Sequence, residues 1–204
     1  MNEASQFREL LGRNLGGICQ LSEVQFQHLY SHYQYLTRWN QVLNLTAVHN
    51  MEFAVTRHYS ESIFAGLHLP SGRLSVADIG SGAGFPGVPM AIVRPDCLVT
   101  LVESHQRKAV FLKEVTRSLS NATVAPMRAE DLEQAFDWLV SRAVQPDSIL
   151  DLVPKLARNV ALLVGRRDAT RLGSQNRYAW DLPVPLPWAQ RTVLMSGHHV
   201  PRET

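Results

Sequence analysis

Cysteine is nearly missing from this sequence: Cys19 and Cys97 are the only two in 204 residues. Neither stands in a spacing that suits a metal, a redox pair or a disulfide framework, so both read as small buried apolar residues in a reducing compartment. Lysine is scarce as well, three of the twenty basic residues, and the other seventeen are arginine. Arginine suits planar two-point contact with phosphate and stacking on bases. No apolar run approaches the length that crosses a bilayer. Glu3, Arg8, Glu9 and Arg13 interrupt the first fifteen residues, which excludes a signal core there and leads to the expectation of a cytoplasmic chain without membrane contact. His28 and His32 lie four apart but lack an acidic third ligand, so no metal is expected. The sequons at Asn44 and Asn121 then read as accidents.

What is present is a globular composition, 45% apolar and 19% charged, with a formal charge of only +2. That length suits one domain with a full core. The charge is unevenly spread. Glu130 to Asp151 holds six acids and one base, Arg142, whereas Lys155 to Arg177 holds six bases and one acid, Asp168. Such a basic stretch reads equally as a solvated face or as a footprint for nucleic acid.

The N-terminal third reads as helical. Residues 3–15 carry Phe7, Leu10 and Leu11 on one face, and Ser22 is placed to cap a long helix that ends near Leu43. Its apolar positions, Phe26, Leu29, Tyr30, Tyr33 and Leu36, follow a helical period and suggest packing against a neighbouring surface. A further helix is expected from Met51 to Leu67, with Arg57 and His58 on one side. Spacing alone makes Arg57 a surface charge and His58 a partly buried polar residue, with phosphate contact as the functional reading of Arg57. Pro70, Ser71 and Gly72 lead into the rest of the chain. From there strand patterns at 74–79, 98–103, 122–127, 137–141 and 159–164 alternate with helical ones at 87–94, 105–119 and 147–158. Alternation of this kind predicts an α/β, doubly wound, mostly parallel sheet with the N-terminal helices as a cap. A final strand or hairpin is expected beyond Pro183, Pro185 and Pro187. The whole reads as one domain, with a cap over 1–70 and a core over 74–204.

The most informative stretch is Leu74 to Pro89, LSVADIGSGAGFPGVP. A buried strand ends on Asp78 and breaks into Gly80, Gly82, Gly84 and Gly87 before a helix starts. A backbone so freed can turn sharply beside a ligand, while the free N–H groups of the next helix point back at the same place. Gly82-x-Gly84-x-x-Gly87 matches a dinucleotide fingerprint, a weak signal by itself. Asp78 stands where a carboxylate can receive the ammonium of an amino-acid moiety. Glu103 ends the second strand, where a carboxylate can hold both hydroxyls of a ribose; its alternative role is a favourable charge at a helix start. An acid on each side of the glycines suits S-adenosylmethionine better than NAD.

Five segments, RWNQVLNLTAV (38–48), RHYSES (57–62), DIGSGAGFPGVPMAIVRP (78–95), LVESHQRKAVFLKEV (101–115) and SRA (141–143), resemble the RsmG/GidB family of bacterial methyltransferases. The resemblance is close from Leu36 to Ala143, and GFPGVPMAIVRP is its specific part. It implies a Rossmann-like class I methyltransferase fold, S-adenosyl-L-methionine as cofactor, and N7 of a guanine in 16S ribosomal RNA, or the small ribosomal subunit, as target. By the same resemblance Gly80, Gly82 and Phe85 belong to the cofactor loop, Glu103 to the ribose, and Ala129 with Glu130 to the adenine. Arg142 is implied on the cofactor and substrate side, as the residue that orients base and cofactor. Arg57, His58 and Arg128 match family positions on the RNA side. Two departures stand out. Glu61 occupies a position where the family usually has Asp, and Val164 one where it tends to have Lys, so either Arg166 takes over that contact or RNA binding is altered.

Guanine N7 carries a lone pair and no proton, so its methylation needs no general base; alignment and exclusion of water suffice. That agrees with the lack of any Ser-His-Asp or Cys-His set. Side chains do not reach N7 in the deep groove of A-form RNA, so the guanine should lie in a loop or be splayed out, against Phe85 or an arginine plane. A monomer is expected. Two other readings are an NAD-dependent oxidoreductase, from GxGxxG alone, and a non-catalytic RNA-binding or ribosome-assembly factor, from the basic 155–177 segment.

Overall fold

The computed structural model describes residues 2–47 and 50–200; Val48, the last residue of the 38–48 motif, lies outside them. The cap begins with α1 (Glu3–Leu15), whose first turn is held by the Asn2 side chain accepting the Ser5 N–H. Next comes α2 (Glu23–Leu43), started by a reciprocal capping box between Ser22 and Gln25. It stops at Asn44, whose φ of 47° leaves the helical region. Phe26, Leu29, Tyr33 and Leu36 turn inward, and Phe7 of α1 meets the rings of Tyr33 and Tyr59 at 5.1 and 5.2 Å. The aromatic stripe expected to pack therefore does so against α1 and the segment that follows.

The helix expected over 51–67 is divided. It runs as α3 (Met51–Ala54), a π-helical turn over Val55–Ser60, and α4 (Glu61–His68). A π turn inserts an extra residue into the helical repeat, which no reading of a 3.6 period detects. Here it buries His58, Tyr59 and Ser60 in succession.

The sheet begins with β1 (Leu74–Ile79), then α5 (Gly87–Val93), β2 (Cys97–Val102), α6 (Gln106–Val115) and β3 (Ala122–Ala125). A short 3-10 turn over Ala129–Asp131 precedes β4 (Phe136–Arg142), α7 (Pro146–Leu156) and β5 (Ala157–Gly165). The chain ends with α8 (Arg166–Gly173), β6 (Tyr178–Trp180), β7 (Val184–Leu186) and β8 (Ala189–His199). The strand order is β3-β2-β1-β4-β5-β8-β6, with β7 also on β8. Pairs among β1 to β5 are parallel, and β8 is antiparallel to all its neighbours. This is the doubly wound α/β sheet that the alternation predicts.

The central strands read as unbroken apolar runs because both faces are covered. On one face the buried cluster runs from Phe7 and Leu29 of the cap through Tyr59 and Val88 to Leu194. On the other, Ala77, Leu139, Val160 and Met195 pack with Val153 of α7 and Leu172 of α8. The basic stretch conceals α8, an amphipathic helix that buries only Ala169 and Leu172 and leaves its arginines outside. Chain order reverses between β1 and β4, and at such switch points a crevice opens beyond the carboxyl ends of the strands.

Candidate functional site

The loop from Gly80 to Pro86 fills the base of that crevice. Gly80 and Ser81 donate their N–H groups to the Val102 carbonyl, which ties the loop to the end of β2. Gly80 has φ of 72°, and a Cβ there would stand 2.6 Å from Val144 Cγ2, so only glycine fits. A cleft of about 350 Å³ opens above, lined by Thr46 and His58 of the cap, by Gly80, Gly82 and Phe85 of the loop, and by Arg142 with Ala143 and Val144 after β4.

Asp78 is fully buried, and its Oδ2 accepts the Gly87 N–H at 2.9 Å. Through Oδ2 the carboxylate pins the start of α5, while its Oδ1 has no hydrogen-bond partner among the described residues. Burial pushes its carboxyl up to about 7, against the Gly87 and Ser81 hydrogen bonds. Glu103, just after β2, braces the loop. Its Oε2 accepts the Gly82 N–H at 2.9 Å and its Oε1 the His105 N–H at 2.7 Å. A carboxylate has about four lone-pair sites, so it can hold these donors and still accept from a sugar hydroxyl.

His58 is buried, its Nε2 3.1 Å from Thr46 Oγ1. Burial, then the charges of Arg142 and Arg57, hold its pKa down to about 3, so the ring is neutral. It stacks on Phe85 with centroids 4.9 Å apart and planes 23° from parallel, while Tyr59 and His32 meet Phe85 edge-on. Phe85 is 6% exposed: its ring is packed at the junction of cap and loop, and the residue also lines the cleft.

Arg142, the last residue of β4, donates from Nε to Glu61 Oε2 at 3.0 Å. The acid paired with it thus comes from the cap and not from the acidic stretch 130–151 around it in sequence. Arg57 Nη1 approaches Glu61 Oε1 to 3.3 Å, a charge contact without hydrogen-bond alignment. Glu61 is fully buried, which pushes its carboxyl up despite the two guanidinium groups. Ala143, next to Arg142, takes φ of 60°, unusual for a residue with a side chain.

Other residues singled out by sequence lie apart. Ala129 is buried and Glu130 exposed in the turn after β3, where the Glu130 carbonyl accepts from Lys155. Arg128 is exposed at the start of that turn. Arg166 starts α8, donates to the Gln190 carbonyl at 2.7 Å, and lines a different hollow with Pro183 and Pro185. Neither arginine lines the cleft.

The residue that sequence reasoning missed is His32. Its Nε2 stands 3.0 Å from the Ala83 carbonyl and its Nδ1 2.6 Å from the Tyr59 hydroxyl, so both ring nitrogens are engaged and His28 is not its partner. A signal existed: position 32 lies on the same helical stripe as Leu29, Tyr33 and Leu36. Among the described residues no group of three His, Cys, Asp or Glu could hold a metal, and no helix is long and apolar enough to cross a membrane.

Strand order, the reversed last strand and the glycine ledge together define a Rossmann-like fold of the kind found in S-adenosylmethionine-dependent methyltransferases. A ribosomal protein L11 methylase from Lactobacillus delbrueckii subsp. bulgaricus superposes with a TM-score of 0.56 at 15% identity, over 70% of this chain and 78% of that one. Aeropyrum pernix fibrillarin, solved with natively bound S-adenosyl-L-methionine, does so with a TM-score of 0.51 at 16% identity, over 67% and 72%. The chain belongs to the rRNA small subunit methyltransferase G family, whose family model matches residues 25–164. A protein named ribosomal RNA small subunit methyltransferase G in Xanthomonas euvesicatoria pv. vesicatoria is 48% identical over 113 residues, 53% of this chain. The match spans about half of that relative, 52% of its length.

Proposed function

We propose that the protein is an S-adenosylmethionine-dependent methyltransferase acting on N7 of a guanine in 16S ribosomal RNA. The observation that carries this reading is the cleft itself: glycine backbone at the carboxyl end of β1, Glu103 beside it, and a cationic side chain, Arg142, on the facing wall. The residues fit such a cofactor. The Gly80 cradle has no room for a side chain, and Glu103 is already oriented by two backbone N–H groups. Gly80 and Gly82 would line the methionine end, Glu103 would hold the ribose, and Ala129 with Glu130 would flank the adenine. Bound there, S-adenosylmethionine supplies an electrophilic methyl group on a sulfonium.

The protein's part is positional. Asp78 holds the loop by the Gly87 N–H, so the ledge needs little rearrangement when it is filled. His58 and Phe85 close one wall without offering a charge, because the imidazole is neutral. Water is kept from that side, and no proton has to be taken from N7. Arg142 orients the base from β4, while Arg57, Arg128 and Arg166 contact the RNA backbone. In this reading cap and sheet work as one unit, monomeric and cytoplasmic.

The test has two arms. Titration calorimetry with S-adenosylhomocysteine should show one site per chain. Mass spectrometry of small-subunit rRNA from cells lacking the protein should show loss of one N7-methylguanosine. Absence of binding in the first arm refutes the cofactor, and unchanged rRNA in the second refutes the target.

A further inference from the structure

The contact between Glu61 and its two arginines is unusual in what it leaves over. Glu61 comes from the first turn of α4, Arg57 from the π turn one turn earlier, and Arg142 from the end of β4, 81 residues on. The Glu61 side chain is 1% exposed, whereas Arg142 is 15% and Arg57 36% exposed. The acid lies inside and its partners reach outward.

A guanidinium has five N–H donors in a flat fork. Arg142 gives Glu61 only its Nε, and Arg57 approaches with only Nη1. The Nη1–Nη2 edge of Arg142 lies on the far side of the group from Nε, and Arg142 lines the cleft. Those two nitrogens, and Nη2 of Arg57, have no partner among the described residues. One carboxylate facing two guanidinium groups leaves one positive charge uncompensated beside the cleft.

Stability is a poor explanation for this arrangement. A buried ion pair rarely beats an apolar packing of the same volume, because two charges lose their water. Burial does push the Glu61 carboxyl up despite both cations. A buried carboxylate that gathers two long, otherwise mobile side chains, one lining the cleft and the other 36% exposed beside it, is better explained by what it presents. Held in one geometry, the arginines lose less freedom on meeting a ligand.

We propose that Glu61 is a positioning residue: it presents the free edges of Arg142 and Arg57 together as a fork for one phosphodiester of the RNA strand that enters the cleft. This rests on the reading of the cleft as an RNA methylation site. The fork sets where the backbone lies, and it is through this phosphate contact that Arg142 orients the base, without Glu61 touching RNA. Phosphate contacts of this kind position the strand and do not read its sequence.

The test uses the full chain, S-adenosylhomocysteine by calorimetry, and a fluorescent single-stranded RNA that copies a guanine-containing loop of the small-subunit rRNA. Glu61→Gln keeps the shape and removes the charge. RNA affinity should fall about tenfold, and the slope of log affinity against log salt should shrink by about 0.7, the loss of one phosphate contact on a single strand. Affinity for S-adenosylhomocysteine should stay within about twofold. Glu61→Asp, which keeps the charge, should recover most of the RNA affinity. In an Arg142→Ala background Glu61→Gln should cost little more, because the fork needs both guanidinium groups and one is already gone. A second cycle, Arg57→Ala with Arg142→Ala, leaves Glu61 untouched and decides the matter if Glu61→Gln does not fold: one fork gives losses that do not add. The proposal is overturned by unchanged RNA affinity in Glu61→Gln, by an equal loss in the Arg142→Ala background, by a parallel loss of S-adenosylhomocysteine affinity, or by independent losses at Arg57 and Arg142. Failure of the wild type to bind S-adenosylhomocysteine would instead sink the functional reading beneath it.

Discussion

His32 Nε2 stands 3.0 Å from the Ala83 carbonyl oxygen, so a helix of the cap holds the loop that floors the cleft. A carbonyl only accepts, so Nε2 carries the proton and Nδ1 accepts from the Tyr59 hydroxyl at 2.6 Å. His32→Leu would leave that hydroxyl and that carbonyl buried without this partner. It should cost about 2–6 kcal/mol, at 1–3 kcal/mol for each unpaired group, read from urea unfolding. S-adenosylhomocysteine affinity should fall with it, and an unchanged affinity would show that the loop does not depend on the cap.

Acid should weaken the fold through the two buried imidazoles. An unfolded histidine takes up its proton near 6.5, but His32 does so only at about 4 and His58 at about 3. Between those values the unfolded chain holds more protons, so stability falls as pH drops below 6.5. Replacing His32 with Gln should make that loss shallower, by on the order of 3 kcal/mol between pH 7 and 4. Urea titrations at pH 7, 5.5 and 4 measure it; identical slopes in the two proteins would refute the assignment.

Asp78 acts in the opposite direction. Its folded pKa of about 7 lies above the ordinary 3.8, so across that window the folded chain holds the extra proton and stability rises as pH falls. Asp78→Asn removes this compensation. Relative to wild type, the variant should fare better at pH 8 than at pH 5, by on the order of 2–3 kcal/mol. A pH-independent difference would show that Asp78 does not titrate in this range.

Gly80→Ala tests the cradle. Its φ of 72° and the nearness of Val144 leave a methyl group no place. S-adenosylhomocysteine affinity should fall at least tenfold, and the fold should lose about 1–3 kcal/mol. Calorimetry beside thermal melting separates the two effects.

Arg94 provides the control far from the chemistry. Buried at the junction of cap and core, it donates to the carbonyls of Gly66, Leu69, Pro70 and Gly72 and pairs with Asp96. Arg94→Met should destabilise the protein by about 2–4 kcal/mol while leaving S-adenosylhomocysteine affinity within about twofold. A loss of affinity without a loss of stability would contradict the purely structural role.

The sequence alone determined the sheet and its ledge. β1 runs apolar to Asp78 and stops at Gly80, and that local pattern needs no distant partner to be read. Ser22 likewise announces α2, because a capping box spans only four residues. Arg57, His58 and the Ser141-Arg142-Ala143 segment were legible as candidates, mainly through family resemblance. Only the tertiary structure decided what these groups face. Whether Asp78 looks into the cleft or under the loop depends on Gly87, nine residues away, and on the packing of Leu101 around it. The meeting of Glu61 with Arg142 joins residues 81 apart, and His32 with Ala83 joins residues 51 apart. A buried hydrogen bond or ion pair is set by geometry between elements, and periodicity within one element carries no record of it.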